Sequence, residues 1–147
     1  MKITRFEDIQ AWQVARELCK GTYALSNNGQ FAKDLALRDQ VRRAAVSIMA
    51  NISEGFDSRS NAEFIQFLYY ALRSASELQS HLYVALDQGY ISQDSFAKAC
   101  EEAGKVKSMT FAFVQYLRNH KKPNTTESCH PEPRTLNPEP RTPNLER

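Results

Sequence analysis

From Phe64 to Ala85 small and apolar residues recur at alternating steps of four and three: Phe64, Leu68, Ala71, Ala75, Leu78, Leu82 and Ala85. The same alternation returns in Phe96, Ala99, Ala103, Val106, Thr110, Phe113 and Leu117. A strand alternates at every second residue, so neither run fits one face of a sheet. On an α-helix these steps draw a narrow seam about three heptads long, which needs a second helix to cover it. Alanines in both seams let two backbones approach, and the larger residues beside them fill the gaps. The pattern therefore demands helices packed along their length.

Two further helices precede these. Ala11, Trp12, Ala15, Leu18, Cys19, Thr22 and Leu25 follow helical spacing, predicting a first helix from Phe6 to about Ser26. Thr4 and Glu7 have the spacing of a capping box at its start, and Asn27, Asn28 and Gly29 tolerate a left-handed stop at its end. A second helix is expected from roughly Lys33 to Gly55, ended by Gly55 with Asp57 and Ser58. Ser60 and Glu63 form a capping box for the third helix, Gly89 stops it, and Ser92 caps a fourth that reaches about His120. Loops this short make consecutive helices antiparallel, so the expected fold is an all-α, up-down-up-down four-helix bundle.

Proline divides the chain. All six prolines lie at or after Pro123, so residues 1–122 read as the bundle domain and residues 123–147 as a different kind of segment. In that segment Pro131-Glu-Pro-Arg-Thr-Leu-Asn137 is followed directly by Pro138-Glu-Pro-Arg-Thr-Pro-Asn144. Proline this frequent forbids a helical heptad, and a disordered tail is predicted, its repeat being either a linear motif or the translation of a DNA repeat. With 147 residues and 41% apolar content, one domain can bury a core.

Residues 1–122 hold 16 Lys and Arg against 13 Asp and Glu, and the tail holds 3 against 4, giving a net charge of +2. This is too mild for binding nucleic acid by bulk charge, so any such role needs local clustering or repetition around an oligomer. Cys19, Cys100 and Cys129 are odd in number and far apart, with no secretory signal ahead of them, which favours a reducing, cytoplasmic setting. No apolar run of ~18 residues exists to span a membrane.

Catalytic and metal chemistry find little footing. His81, His120 and His130 are scattered along the chain, and none is expected to hold a metal with a cysteine or carboxylate of its own helix. Ser47, Ser53, Ser74 and Ser76 lack a nucleophile elbow, and mid-helix serines commonly bond back to a carbonyl one turn earlier. The glycines are isolated, so no phosphate loop exists, and the Glu-x-x-His pairs of di-iron bundles are absent. The expectation is a protein without catalysis, cofactor or metal.

One stretch is unusual: RRAAVSIMANISEGF, residues 42–56, threads polar groups through an apolar helix. At about 100° per residue, Arg43, Ser47, Asn51 and Glu54 share one arc, with Val41, Ala45, Ile48, Met49 and Ile52 roughly opposite. The stripe is expected to face solvent, another chain or a ligand. Arg42 borders the apolar side and is expected to pair with Glu77 on the third helix.

These residues carry a resemblance. Phe6, Glu7, Asp8, Trp12 and Ala15 come first, followed by Gln40, Arg42, Arg43, Ala44, Ser47, Ile48, Asn51, Ile52, Glu54 and Gly55. With Ser60, Glu63, Phe64, Ser74, Glu77 and Leu78, the pattern resembles the four-helix-bundle proteins encoded in intervening sequences of bacterial 23S ribosomal RNA genes. The likeness covers about residues 4 to 120. Met49 stands where the family often has proline, and Leu35-Ala36 where it often has an aromatic-glycine pair. The resemblance implies a cytoplasmic bundle forming closed homo-oligomers, expected to be pentamers, with no established enzymatic activity. It also implies a relative, the accessory protein of diversity-generating retroelements, which partners a reverse transcriptase and nucleic acid.

Two function classes follow. In the first, a homo-oligomer meets RNA or DNA phosphates through Arg38, Arg42, Arg43 and Arg59 and through Lys98, Lys105, Lys107, Arg118, Lys121 and Lys122. In the second, the oligomer is a protein-interaction scaffold, for instance for a reverse transcriptase, with Phe67, Tyr69, Tyr70 and Tyr83 available for contact. In both, Arg43, Ser47, Asn51, Glu54 and Glu77 are read as a structural or subunit-contact set.

Overall fold

In the computed structural model, which describes residues 2–120, the chain opens with a 3-10 turn at Phe6–Asp8. Four long helices follow: α1 (Gln10–Ser26), α3 (Leu35–Phe56), α4 (Asn61–Asp87) and α5 (Gln93–Asn119), with a short α2 (Gly29–Lys33) between the first two. Among the described residues there is no strand. The expected tail and its repeat, residues 123–147, lie outside the described residues.

Each long helix packs on two neighbours, α1 on α3 and α5, and α4 on α3 and α5, which closes a four-helix ring around one core. Both predicted seams meet there. All seven seam residues of α4 are buried, as are Phe96, Ala99, Ala103, Val106 and Thr110 of α5. Toward the end of α5 the seam drifts by one position: Val114 is fully buried, whereas Phe113 and Leu117 are half-exposed. A straight helix turns slightly more slowly than a strict heptad, so such drift accumulates over several turns.

The two ends of the bundle establish its direction. At one end the ring of Phe31 on α2 stacks on Tyr90 in the α4–α5 loop, with centroids 5.7 Å apart. There the Tyr90 hydroxyl donates to Asp34 Oδ2 at 3.0 Å, and Asp34 Oδ1 accepts from the Leu37 amide at 3.1 Å, which caps α3. At the other end Asn61 Nδ2, at the start of α4, donates to the carbonyls of Leu117 and His120 at 3.2 and 2.7 Å. The α1–α3 and α4–α5 connections therefore share one end and the α3–α4 turn sits at the other, an up-down-up-down bundle.

Local signals explain most boundaries. Gly29 and Gly89 adopt φ of 54° and 72°, left-handed values that other residues avoid. The Ser60 hydroxyl accepts from the Glu63 amide at 3.2 Å, and Ser92 accepts from the Ser95 amide at 3.1 Å. Glu63 reaches back to the amide of Arg59 at 3.1 Å, one residue before the cap itself.

Three expectations are corrected. Thr4 and Glu7 do not form a capping box: the Asp8 carboxylate accepts from the amides of Thr4 and Arg5 at 3.1 and 3.3 Å, and α1 begins only at Gln10. Asp8 thus closes a separate 3-10 turn. The second predicted helix starts at Leu35 rather than Lys33, because the Asp34 side chain caps it there, and the short α2 precedes it where a loop was expected. Gly55 is not a stop signal. It lies buried inside α3, where a Cβ would meet the Phe64 ring at 2.6 Å and Phe67 Cβ at 2.9 Å, so its role is to let α4 approach.

Candidate nucleic-acid interface

The polar stripe of α3 divides between two environments. Ser47 Oγ lies 2.9 Å from Ser74 Oγ on α4, and Asn51 Nδ2 donates to the Ser47 carbonyl and hydroxyl at 2.8 and 3.1 Å. These two residues make a polar seam within the chain and do not face outward. Arg43 and Glu54, at the ends of the stripe, are exposed. The expectation of a uniformly outward stripe missed that α3 is covered on two flanks, by α1 and by α4.

Arg42 does not pair with Glu77. Its Nε donates to the buried Ser26 hydroxyl at 2.9 Å, and its guanidinium lies 4.7 Å from the centre of the Tyr23 ring, both on α1. The reason is angular: Ser47 points to α4, and five residues back is a turn of about 140°, which carries Arg42 to the α1 flank. Glu77 instead stands 3.2 Å from His81 Nε2, with its side chain 53% exposed.

The other predicted cations do not gather on one surface. Arg38 Nη1 donates to the carbonyl of Ala32 at 3.3 Å and Nε lies 3.5 Å from Asp39, which binds it to the α2–α3 junction. Arg59 is exposed in the α3–α4 turn, and Lys98 lines a groove between α1 and α5 beside Glu17 and Glu102. Lys105 is exposed on α5. Lys121 and Lys122 lie outside the described residues.

A coherent cationic surface does arise on the α4–α5 flank. Gln79 of α4 donates from Nε2 to the Cys100 carbonyl at 3.2 Å and accepts from Lys107 Nζ at 3.3 Å, clamping the two helices and fixing the ammonium. Nearer the end of α5, Arg118 Nη2 donates to the Tyr69 hydroxyl at 2.7 Å. Arg73 lines the groove between them with Tyr69, Leu72, Lys107 and Phe111, and its guanidinium lies 5.7 Å from the Tyr70 ring. Among the described residues no carboxylate lies within ion-pairing distance of Arg73, Lys107 or Arg118.

The sequence explains that absence. Residues 65–76 of α4 and 104–118 of α5 contain Arg73, Lys105, Lys107 and Arg118 but not a single Asp or Glu. Carboxylates flank the span, at Glu63 and Glu77 on α4 and at Glu101 and Glu102 on α5. The surface thus keeps uncompensated positive charge despite the chain's near-neutral balance. The cations expected from the sequence do not include Arg73, nor do the contact aromatics include Phe111; the signal that finds them is the acid-free span shared by two adjacent helices.

Burial pushes the Cys19 and Cys100 thiols above their ordinary range, which keeps them protonated and poorly nucleophilic. Among the described residues no three His, Cys, Asp or Glu side chains cluster as a metal site would require. No helix there is long and apolar enough to cross a membrane.

Comparison with known proteins agrees with the architecture. A solved protein of unknown function from the S23 ribosomal protein family of Bacteroides thetaiotaomicron superposes with a TM-score of 0.66 at 23% identity, covering 71% of this chain and 98% of its own. At that identity the likeness speaks for the fold alone. No curated protein matches the chain. The family model described as 23S rRNA-intervening sequence protein matches residues 7–112, which spans the bundle from the 3-10 turn into α5. The chain belongs to the 23S rRNA-intervening sequence protein family.

Proposed function

We propose that this protein is a non-catalytic, homo-oligomeric bundle that associates with RNA through the α4–α5 flank. The observation that carries the reading is the acid-free span holding Arg73, Lys107 and Arg118 on one side of the molecule. Lys and Arg remain charged at neutral pH, and phosphate contacts of this kind supply salt-dependent affinity with little sequence selectivity. Assembly into a ring, as the sequence resemblance implies, repeats the flank and multiplies its effect.

Mobility shift of structured RNA at low salt tests this, comparing the wild type with the double variant R73E/K107E and with the control R59E/K98E. The reading predicts binding that the first pair abolishes and the second pair leaves largely in place. Absence of binding by the wild type overturns it. Light scattering of the 16.8 kDa chain tests assembly: a mass near five copies is expected, and a monomer contradicts the ring.

A protein-interaction scaffold is the second reading, favoured by exposed Tyr83 and Val84 on α4 near its C-terminal end. It predicts that Y83A/V84S removes a protein partner while RNA affinity stays low throughout.

A further inference from the structure

Phe111 is the least expected residue on the α4–α5 flank. Its side chain is 48% exposed, although it sits between two helices that bury aromatic rings elsewhere. Leaving a phenyl ring in water forgoes a substantial part of the ~1.5–3 kcal/mol that burial of a large apolar side chain yields. Scattered exposed apolar residues are ordinary, but this one forms part of a lined groove with Tyr69, Leu72 and Arg73. Lys107 lies one helical turn before it on α5, and Arg118 two turns after it.

We infer that this groove binds single-stranded RNA, with a base stacked on Phe111 and the flanking phosphates held by Arg73, Lys107 and Arg118. The inference rests on the proposed association with RNA and names its mode. Charge selects the occupant: a surface with free cations and no carboxylate repels basic protein segments and attracts a polyanion. The ring selects the kind of polyanion. A duplex hides its base faces in the stack, whereas a single strand offers them, and aromatic side chains among cations are the usual platform for it. From Lys107 to Arg118 the helix rises about 16 Å, which corresponds to on the order of four to five stacked nucleotides.

Part of the groove is already ordered for this role. Lys107 is held by Gln79, and Arg118 by the Tyr69 hydroxyl, so neither cation must be immobilised entirely on binding. The hydrogen bonds are to neutral groups, so both positive charges remain available.

The test uses the full chain and a fluorescein-labelled twelve-nucleotide oligouridylate, with the corresponding duplex made with oligoadenylate as comparison. Anisotropy titrations are run on wild type, F111A, F111W and R73E/K107E, with circular dichroism melts confirming folding. The wild type is expected to prefer the single strand. F111A is expected to lose about 5- to 150-fold in affinity for it with the salt slope unchanged, as removal of one stacking platform implies. F111W is expected to restore binding, and its added indole to be quenched when RNA is bound. If F111A binds as tightly as wild type while R73E/K107E does not bind, the stacking mode is overturned and the charge-based reading stands. Equal or tighter binding of the duplex overturns the stacking mode as well. If wild type binds neither probe nor structured RNA, both fail together.

Discussion

Gly55 and Arg42 show how single residues fix the packing of α3 against its two neighbours, α4 and α1. At Gly55 an added Cβ would overlap the Phe64 ring, and that ring is wedged edge-on against Phe113 with centroids 5.3 Å apart. Neither neighbour can retreat freely in a packed interior. The substitution G55A is expected to destabilise the fold by about 1–3 kcal/mol, the range of overpacked cores, measurable by urea denaturation. Arg42 supplies the converse case. Its bond to Ser26, which is fully buried, makes R42A cost about 1–3 kcal/mol, because a buried hydroxyl loses its charged partner. E77A, at an exposed site, is expected to stay within about 0.5 kcal/mol of wild type. The reverse order would restore the Arg42–Glu77 pair that the structure replaces.

Among the helices and their connections, the α2–α3 junction is coupled to pH through Tyr90. The Asp34 carboxylate accepts from Tyr90, and this bond, with burial and the nearby negative charge, raises the phenol above its ordinary range. A raised folded value stabilises the fold fully below the unfolded phenol pKa of about 10, and that contribution is lost as pH rises through the folded one. The melting difference between wild type and Y90F is therefore expected to be present at pH 8 and to shrink at strongly alkaline pH. A difference that persists unchanged at alkaline pH would contradict the link to the phenol proton, and no difference at pH 8 would show that the Tyr90 hydroxyl contributes nothing to the junction.

The same elements show what was legible beforehand. The seams of α4 and α5 were visible because a heptad pattern is local, and Ser60, Ser92, Gly29 and Gly89 act on their own turns. Asp34 caps α3 through a local bond to the Leu37 amide, but its second bond, to Tyr90, spans 56 positions and leaves no local signal. Thr4 offered a capping box by spacing, yet Asp8 has the closer geometry and takes the same amides. Competition between two local partners is decided by distance, which spacing alone does not provide.

For the whole molecule, the relevant property is where charge remains uncompensated. The cations Arg38 and Arg42 were reasonable candidates by composition, but the fold consumes them in contacts with Ala32, Asp39, Ser26 and Tyr23. Arg73 was passed over because one cation on an aromatic helix carries no signal until its neighbour is known. Only packing of α4 on α5 turns it, Lys107 and Arg118 into a shared surface. The predicted stripe on α3 failed for the matching reason: the arc was correct, but Ser47 meets Ser74 of α4 and Asn51 bonds back to Ser47.

Salt dependence of RNA binding tests this account most directly. With three phosphate contacts to a single strand, the logarithm of the affinity should fall against the logarithm of salt concentration with a slope of about −2. In R73E/K107E that slope should collapse along with the affinity. A wild-type slope near zero, or an undiminished slope in the double variant, would contradict the assignment of the α4–α5 flank as the RNA contact.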